Sequence, residues 1–98
     1  MYLIVPRVGH HHQVAARLLW VSSTGSAITG RPAVADGRVF AGNENGAIYG
    51  ISLASPHRKW VYPTGDAVES SPVVVGAVVY IGSGNGYVYA LSTAVSGA

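Results

Sequence analysis

The chain has 98 residues, of which 49% are hydrophobic and only 10% are charged, and its net charge is +2. Such an apolar composition excludes a disordered tail, and six dispersed basic residues make a poor footprint for nucleic acid. No apolar run is long enough to span a membrane. Cysteine is absent, which excludes disulfides and thiolate metal sites but says little about the compartment.

Residues 1–19 are predicted to form an irregular segment that leads into a first outer strand. Within this segment, residues 17–21 align with residues 57–61 and are predicted to be a strand. A helical turn over residues 13–19 is the alternative, because apolar residues there recur at helical spacing. The start of the chain carries no basic region followed by a long apolar run, so no signal peptide is predicted.

His10, His11 and His12 form the one cluster of metal-ligating side chains in the sequence. Neighbouring residues of an extended segment point to opposite sides, so successive histidines seldom bind one ion together. We therefore interpret them as a solvated loop or the remnant of an added tag and predict no metal site.

Short strands separated by turn residues are predicted from residue 32 onwards. They lie near 32–35, 38–42, 47–52, 71–75, 78–82 and 87–92. Short strands at this spacing are typical of an all-β sandwich, barrel or propeller. Pro32 and Pro72 are expected to begin their strands, where a missing N–H does least harm.

Turn dipeptides separate these strands. Asn45-Gly46 and Asn85-Gly86 are predicted to form type I′ hairpin turns, which need positive φ at both central residues. Asp36-Gly37 is expected to play the same part between the first two strands, and its counterpart Gly76-Ala77 is a weaker turn signal. Phosphate and calcium loops are disfavoured, because strands and not a helix follow and no spaced acidic series is present.

The chain repeats itself at an offset of 40 residues without a gap. Between residues 20–58 and 60–98, 14 of 39 aligned positions are identical. A period near 40 is typical of repeat architectures, so residues 20–59 are predicted to be a first repeat and 60–98 a second, which ends before its next tryptophan. The structural residues predicted from the identities are Trp20 and Trp60, Gly42 and Gly82, Asn45 and Asn85, and Gly46 and Gly86.

These residues resemble the repeat of pyrroloquinoline-quinone (PQQ)-type β-propellers. The resemblance covers residues 20–98, and the second repeat shows it most clearly in Trp60, Thr64-Gly65, Ser71-Pro72-Val73-Val74, Val79-Tyr80-Ile81-Gly82-Ser83, Asn85-Gly86 and Tyr89-Ala90-Leu91. In this family an eleven-residue docking segment runs from an alanine to a tryptophan that packs between adjacent blades. Residues 50–60 have that length, with Gly50 in the alanine place.

The resemblance implies an all-β chain of about two blades of a quinoprotein-like β-propeller, each blade a four-stranded antiparallel sheet. Two blades cannot close a ring, so the expected partners are other blades, in a longer chain or by homo-oligomerisation, and a protein partner; neither nucleic acid nor a membrane span is expected. By the same resemblance the protein would be periplasmic or otherwise extracytoplasmic.

The leading functional hypothesis is a non-catalytic scaffold or protein-binding module, similar to propellers that serve outer-membrane assembly or act as sensor domains. The alternative is a fragment of a PQQ-dependent alcohol or sugar dehydrogenase, and only under that alternative are PQQ and calcium expected as cofactors. Asp66 and Glu69 are a weak acid–base candidate, because their counterparts Ser26 and Thr29 carry no charge. No catalytic, cofactor-binding or metal-binding residue is therefore predicted.

Overall fold

The computed structural model describes residues 16–94, and all the regular structure within this range is β-strand. Seven strands follow in order: β1 (Ala33–Ala35), β2 (Arg38–Gly42), β3 (Ala47–Ser52), β4 (Lys59–Pro63), β5 (Val73–Val75), β6 (Val78–Gly82) and β7 (Val88–Ser92). The predicted strands are confirmed to within one or two residues. β1 and β5 begin directly after Pro32 and Pro72, which agrees with the lack of an N–H on proline.

The strands form two antiparallel sheets. The first sheet has the order β1-β2-β3-β4, and the second sheet has the order β5-β6-β7. Equivalent residues occupy equivalent registers, since Phe40 lies opposite Gly50 in the first sheet and Tyr80 lies opposite Ala90 in the second. The predicted all-β architecture is confirmed, with four strands in the first sheet and three in the described part of the second.

Hydrogen bonds outside the strands also recur at the 40-residue offset. The N–H of Glu44 donates to the oxygen of Ala27 at 2.9 Å, and that of Gly84 donates to Ala67 at 2.8 Å. The N–H of Leu53 donates to Gly37 and that of Thr93 to Ala77, both at 2.9 Å. The two repeats therefore share their loop conformations as well as their strands.

The hydrophobic core lies between the two sheets. Phe40 and Ile48 from the first sheet, Val79 and Ile81 from the second, and Val68 from the connection between them are all buried. Within the described residues, the connection that carries Val68 runs from β4 to β5 without regular structure. The core therefore joins the sheets to one another, which is how repeat units that cannot bury an apolar face alone become stable.

Two predictions about local structure are wrong. Residues 17–21 form no strand, and the described part of the helical alternative, residues 16–19, forms no helix. The equivalent strand β4 completes the first sheet by pairing with β3 of the preceding repeat. The described residues hold no sheet before β1 with which residues 17–21 could pair in the same way. His10, His11 and His12 lie outside the described residues.

The second correction concerns the hairpin turns. Gly46 and Gly86 have positive φ (94° and 91°), but Asn45 and Asn85 do not, so neither turn is type I′. The N–H of Gly46 bonds the oxygen of Asn43 at 3.2 Å, which makes a four-residue turn whose last residue is the left-handed Gly46. Asp36 and Gly37 both have positive φ (55° and 71°), so the type I′ pattern occurs in that tighter turn.

Candidate functional site

The two tryptophans of the repeat lie against different surroundings. Trp60 packs against the core between the two sheets, with its ring centroid 6.0 Å from that of Phe40. It crosses directly over Gly50, where an added methyl group would come within 2.5 Å of the indole Cζ2. Trp20 is half-buried, and its indole Nε1 donates to the oxygen of Leu53 at 3.2 Å. Trp60 therefore lies between the two sheets, whereas the hydrogen-bond partner of Trp20 is Leu53, which directly follows β3.

Val68, in the connection between β4 and β5, packs closely against the first sheet. This side chain is fully buried, and a methyl group added to Gly42 would collide with it, 2.7 Å from the Val68 Cβ. The N–H of Val68 also donates to the oxygen of Asn43 at 2.9 Å. Gly42 thus makes room for the side chain that fixes the second repeat onto the first.

Residues 64–70, which we call the linking segment, continue this contact along the β2–β3 hairpin. The N–H of Thr64 bonds the oxygen of Gly46, at 2.6 Å. A methyl group on Gly46 would come within 2.9 Å of the backbone of Asp66. Backbone hydrogen bonds therefore hold the linking segment on the hairpin, and Gly42 and Gly46 leave the space that it occupies.

An asparagine holds each hairpin, but from a different position. Asn43 is buried; its Nδ2 donates to the oxygen of Thr24 at 3.0 Å, and its Oδ1 accepts the N–H of Ala47 at 3.0 Å. In the second repeat, Asn85 Nδ2 donates to Thr64 at 2.9 Å instead. The carbonyl of the threonine that both repeats share, Thr24 or Thr64, thus accepts an asparagine hydrogen bond in each repeat. The two donor asparagines stand two places apart within their repeats.

On the second sheet, no residue between 16 and 94 covers the counterpart of this contact surface. A cavity of about 520 Å³ opens over its hairpin end, lined by Asp66, Ala67, Glu69, Ser70, Gly82, Ser83 and Gly84. A methyl group on Gly82 would meet Ser70 Oγ only at 3.5 Å, and one on Gly86 would meet nothing within 4 Å. Gly82 and Gly86 are the counterparts of Gly42 and Gly46, so the cavity is the place that a linking segment fills on the first sheet.

The uncovered side of the second sheet is apolar. We call this side, with Val73, Tyr80, Gly82, Val88 and Ala90, the open face. Phe40 and Ile48 are fully buried in the first sheet, whereas their counterparts Tyr80 and Val88 are 40% and 76% exposed. An apolar surface of this kind marks an interaction site or an aggregation hazard.

The carboxylates at the cavity do not match the ligand set that calcium needs. Asp66 and Glu69 are both exposed, and Asp66 Oδ1 already accepts the N–H of Ala67 at 2.7 Å. Calcium takes six to eight oxygen ligands, and no three His, Asp or Glu side chains lie together in residues 16–94. These residues therefore do not fit calcium, and we derive no step through calcium or a quinone.

Repeated antiparallel sheets stacked face to face, with a tryptophan wedged between them, define a β-propeller repeat module. A family model for PQQ-like repeats, described as "Outer membrane protein assembly factor BamB", matches residues 10–96. The chain therefore belongs to this PQQ-like β-propeller repeat family, as the sequence resemblance predicted. No curated protein is similar enough to count as a match. Within residues 16–94 the structure has no helix that could cross a membrane.

The sequence does not identify two residues that hold the hairpin ends of the sheets, Asn43 and Ser70. Asn43 differs from its counterpart Ser83, so a comparison of repeats passes over it, although it is buried and its side chain makes three hydrogen bonds. Ser70 is a second case: its Oγ bonds both the oxygen and the N–H of Gly82, at 2.8 and 3.0 Å. The departures from the repeat are the only sequence signal that could have singled these positions out.

Proposed function

We propose that the chain is a non-catalytic scaffold module whose open face binds protein. The observation that carries this proposal is the contrast between the two sheets: one apolar face is buried by a neighbouring repeat, and the equivalent face of the second sheet is exposed. The matching family model is described as an outer membrane protein assembly factor, and this likeness supports the further proposal that the module acts in assembly, outside the cytoplasm.

The chemistry of the open face supports binding and not turnover. Its large side chains are apolar or aromatic, namely Val73, Tyr80 and Val88. The edge of β7 that β6 does not cover adds backbone groups that a partner strand can bond. An unpaired strand edge is a template on which another chain can pair.

The experiment that tests this proposal is a dye-reduction assay of the purified chain with added PQQ, calcium and a panel of alcohols and sugars. We expect no turnover above the blank, and no change in melting temperature when quinone and calcium are titrated, because a ligand that binds only the folded state raises that temperature. Turnover that requires both the quinone and this chain would overturn the proposal in favour of the dehydrogenase.

A further inference from the structure

We propose that the open face binds a second copy of this chain, head to tail, through residues 19–31 of that copy. We call residues 19–31 the N-terminal segment. The contact between the two sheets within one chain supplies the template, since residues 59–71 make that contact and the N-terminal segment is their counterpart 40 residues earlier. The proposal specifies the partner of the scaffold and rests on that function.

The first argument is the exposure of the N-terminal segment. Ile28 is the counterpart of Val68, yet it is 46% exposed while Val68 is fully buried. Within one chain, Val68 packs on Gly42 of the first sheet. If Ile28 packs in the same way on the second sheet of another copy, it enters the cavity over Gly82. Its N–H then meets the oxygen of Ser83, the counterpart of the bond from Val68 to Asn43.

The second argument is the open edge of β7. Strand β4 pairs with β3 so that Trp60 lies opposite Gly50 and Tyr62 opposite Ile48. The same register between copies places Trp20 opposite Ala90 and Ser22 opposite Val88. Residues 19–23 then become the fourth strand of the second sheet, which explains why they form no strand within one chain.

The third argument is the groove that this strand would fill. A groove of about 200 Å³ lies between β4 and the end of β7, and Trp60, Tyr62 and Leu91 are among its lining residues. Leu19 and Val21 are 79% and 77% exposed. In the inferred register they lie opposite Leu91 and Tyr89, whose side chains face the first sheet, so Leu19 and Val21 share that side and enter the groove.

The fourth argument is charge, and it selects the first repeat of another copy as the occupant. The cavity is lined by the carboxylates of Asp66 and Glu69, whereas Arg31 is the sole charged residue of the N-terminal segment. The linking segment, by contrast, would bring a second Asp66 and Glu69 against the first pair. Opposite charges therefore favour head-to-tail contact, and like charges disfavour stacking of second repeats on each other.

The two interfaces differ at Ser70. Its counterpart Gly30 allows close approach, because a methyl group there would lie 2.6 Å from the oxygen of Ser70. Between copies, Ser70 takes the place of Gly30, so its side chain keeps the second copy slightly farther away at this point.

Head-to-tail contacts close into rings when the rotation permits. With two sheets per chain, a propeller of about four to eight blades corresponds to two to four copies.

The test is the association state of the full chain and of two charge variants. Wild type should change, between about 1 and about 100 µM, from single chains to assemblies of two to four copies. Ile28→Arg and Val88→Arg damage opposite ends of one interface, so each should weaken association at least about tenfold. His57→Arg, in an exposed turn outside the interface, should behave as wild type.

Mixing the two variants distinguishes this geometry from other pairings. In a 1:1 mixture, the Ile28→Arg variant still has an intact open face, and the Val88→Arg variant still has an intact N-terminal segment. These two surfaces can bind each other once, so the mixture should form a dimer but nothing larger. A wild type that stays single throughout, a loss caused by Val88→Arg alone, or a mixture that does not associate would overturn the proposal. Dehydrogenase turnover would refute the scaffold function without affecting these masses.

A crosslink keeps the proposal testable if circular dichroism shows that either variant is unfolded. The chain has no cysteine, so Ser22→Cys and Val88→Cys introduce single thiols at positions that the inferred register places opposite one another, within disulfide reach. Mixed and oxidised, they should give the mixed disulfide as the main product. A predominant Val88→Cys homodimer, or no crosslink, would refute the head-to-tail register.

Discussion

Glycines at equivalent positions have opposite environments in the two repeats. Gly42 lies under Val68, with no room for a methyl group, whereas Gly82 faces the cavity. The sequence predicts both as structural residues of the repeat, since they are identical and end equivalent strands. It cannot predict which one is covered, because that depends on which sheet has a neighbour.

This difference gives a matched pair of substitutions. Gly42→Ala should lower the free energy of unfolding by about 1–3 kcal/mol, because the new methyl group overpacks the contact with Val68. Gly82→Ala should change it by less than about 0.5 kcal/mol. Urea denaturation at a concentration where wild type is a single chain makes the comparison. Equal losses at both positions would show that the contact with Val68 does not decide the cost.

The sequence predicts the strands well because the pattern that indicates each strand lies within the strand and its flanking turns. Runs of β-branched and aromatic residues end at glycine turns, and these signals place β2 and β6 in full. Residues 17–21 carry similar signals but form no strand, since a strand also needs a partner edge. The sequence places the turns correctly at Asn45 and Asn85 but predicts the wrong turn type. The type depends on the length of the hairpin loop, and the two loops begin at Asn43 and Ser83.

Strand β7 should show an alternating pattern of amide exchange. In the first sheet, Ser52 donates its N–H to Arg58, on the side of β4. Alternation along an antiparallel strand then directs every second amide of β3 to β4. The counterparts in β7 are the amides of Val88, Ala90 and Ser92, which point to the open edge. We expect hydrogen exchange by NMR to be fast at these three amides and slow at Tyr89 and Leu91.

The same measurement reports on assembly. Raising the protein concentration should slow exchange at the three outward amides, because the N-terminal segment of a second copy pairs with that edge, while the inward amides change little. Ile28→Arg is the control, in which the outward amides should remain fast. Uniform protection along β7 at the lowest concentration would mean that its outer edge is already bonded within one chain.

The arrangement of two stacked sheets leaves one end with an exposed face and the other with an exposed N-terminal segment. Each repeat is stabilised mainly by the neighbour that it contacts, so a chain of two repeats has one internal interface and two incomplete ones. Its stability should therefore rise with the number of interfaces formed and not with chain length alone.

A tandem chain tests this directly. Joining Ala98 to Leu19 of a second copy places the third tryptophan 40 residues after Trp60, in phase with the repeat. The link makes the second interface intramolecular, which raises its effective concentration. We expect the tandem to melt at least about 5 °C above the single chain when both are dilute, the shift that a few kcal/mol produces in a chain of this size.

The control is the same tandem with Ile28→Arg in its second half. It should lose most of the gain in melting temperature, because the interface forms only when the side chain at position 28 can enter the cavity over Gly82. If the tandem and the single chain melt together, the two halves do not stack, and the repeats at the junction are joined only by the peptide chain.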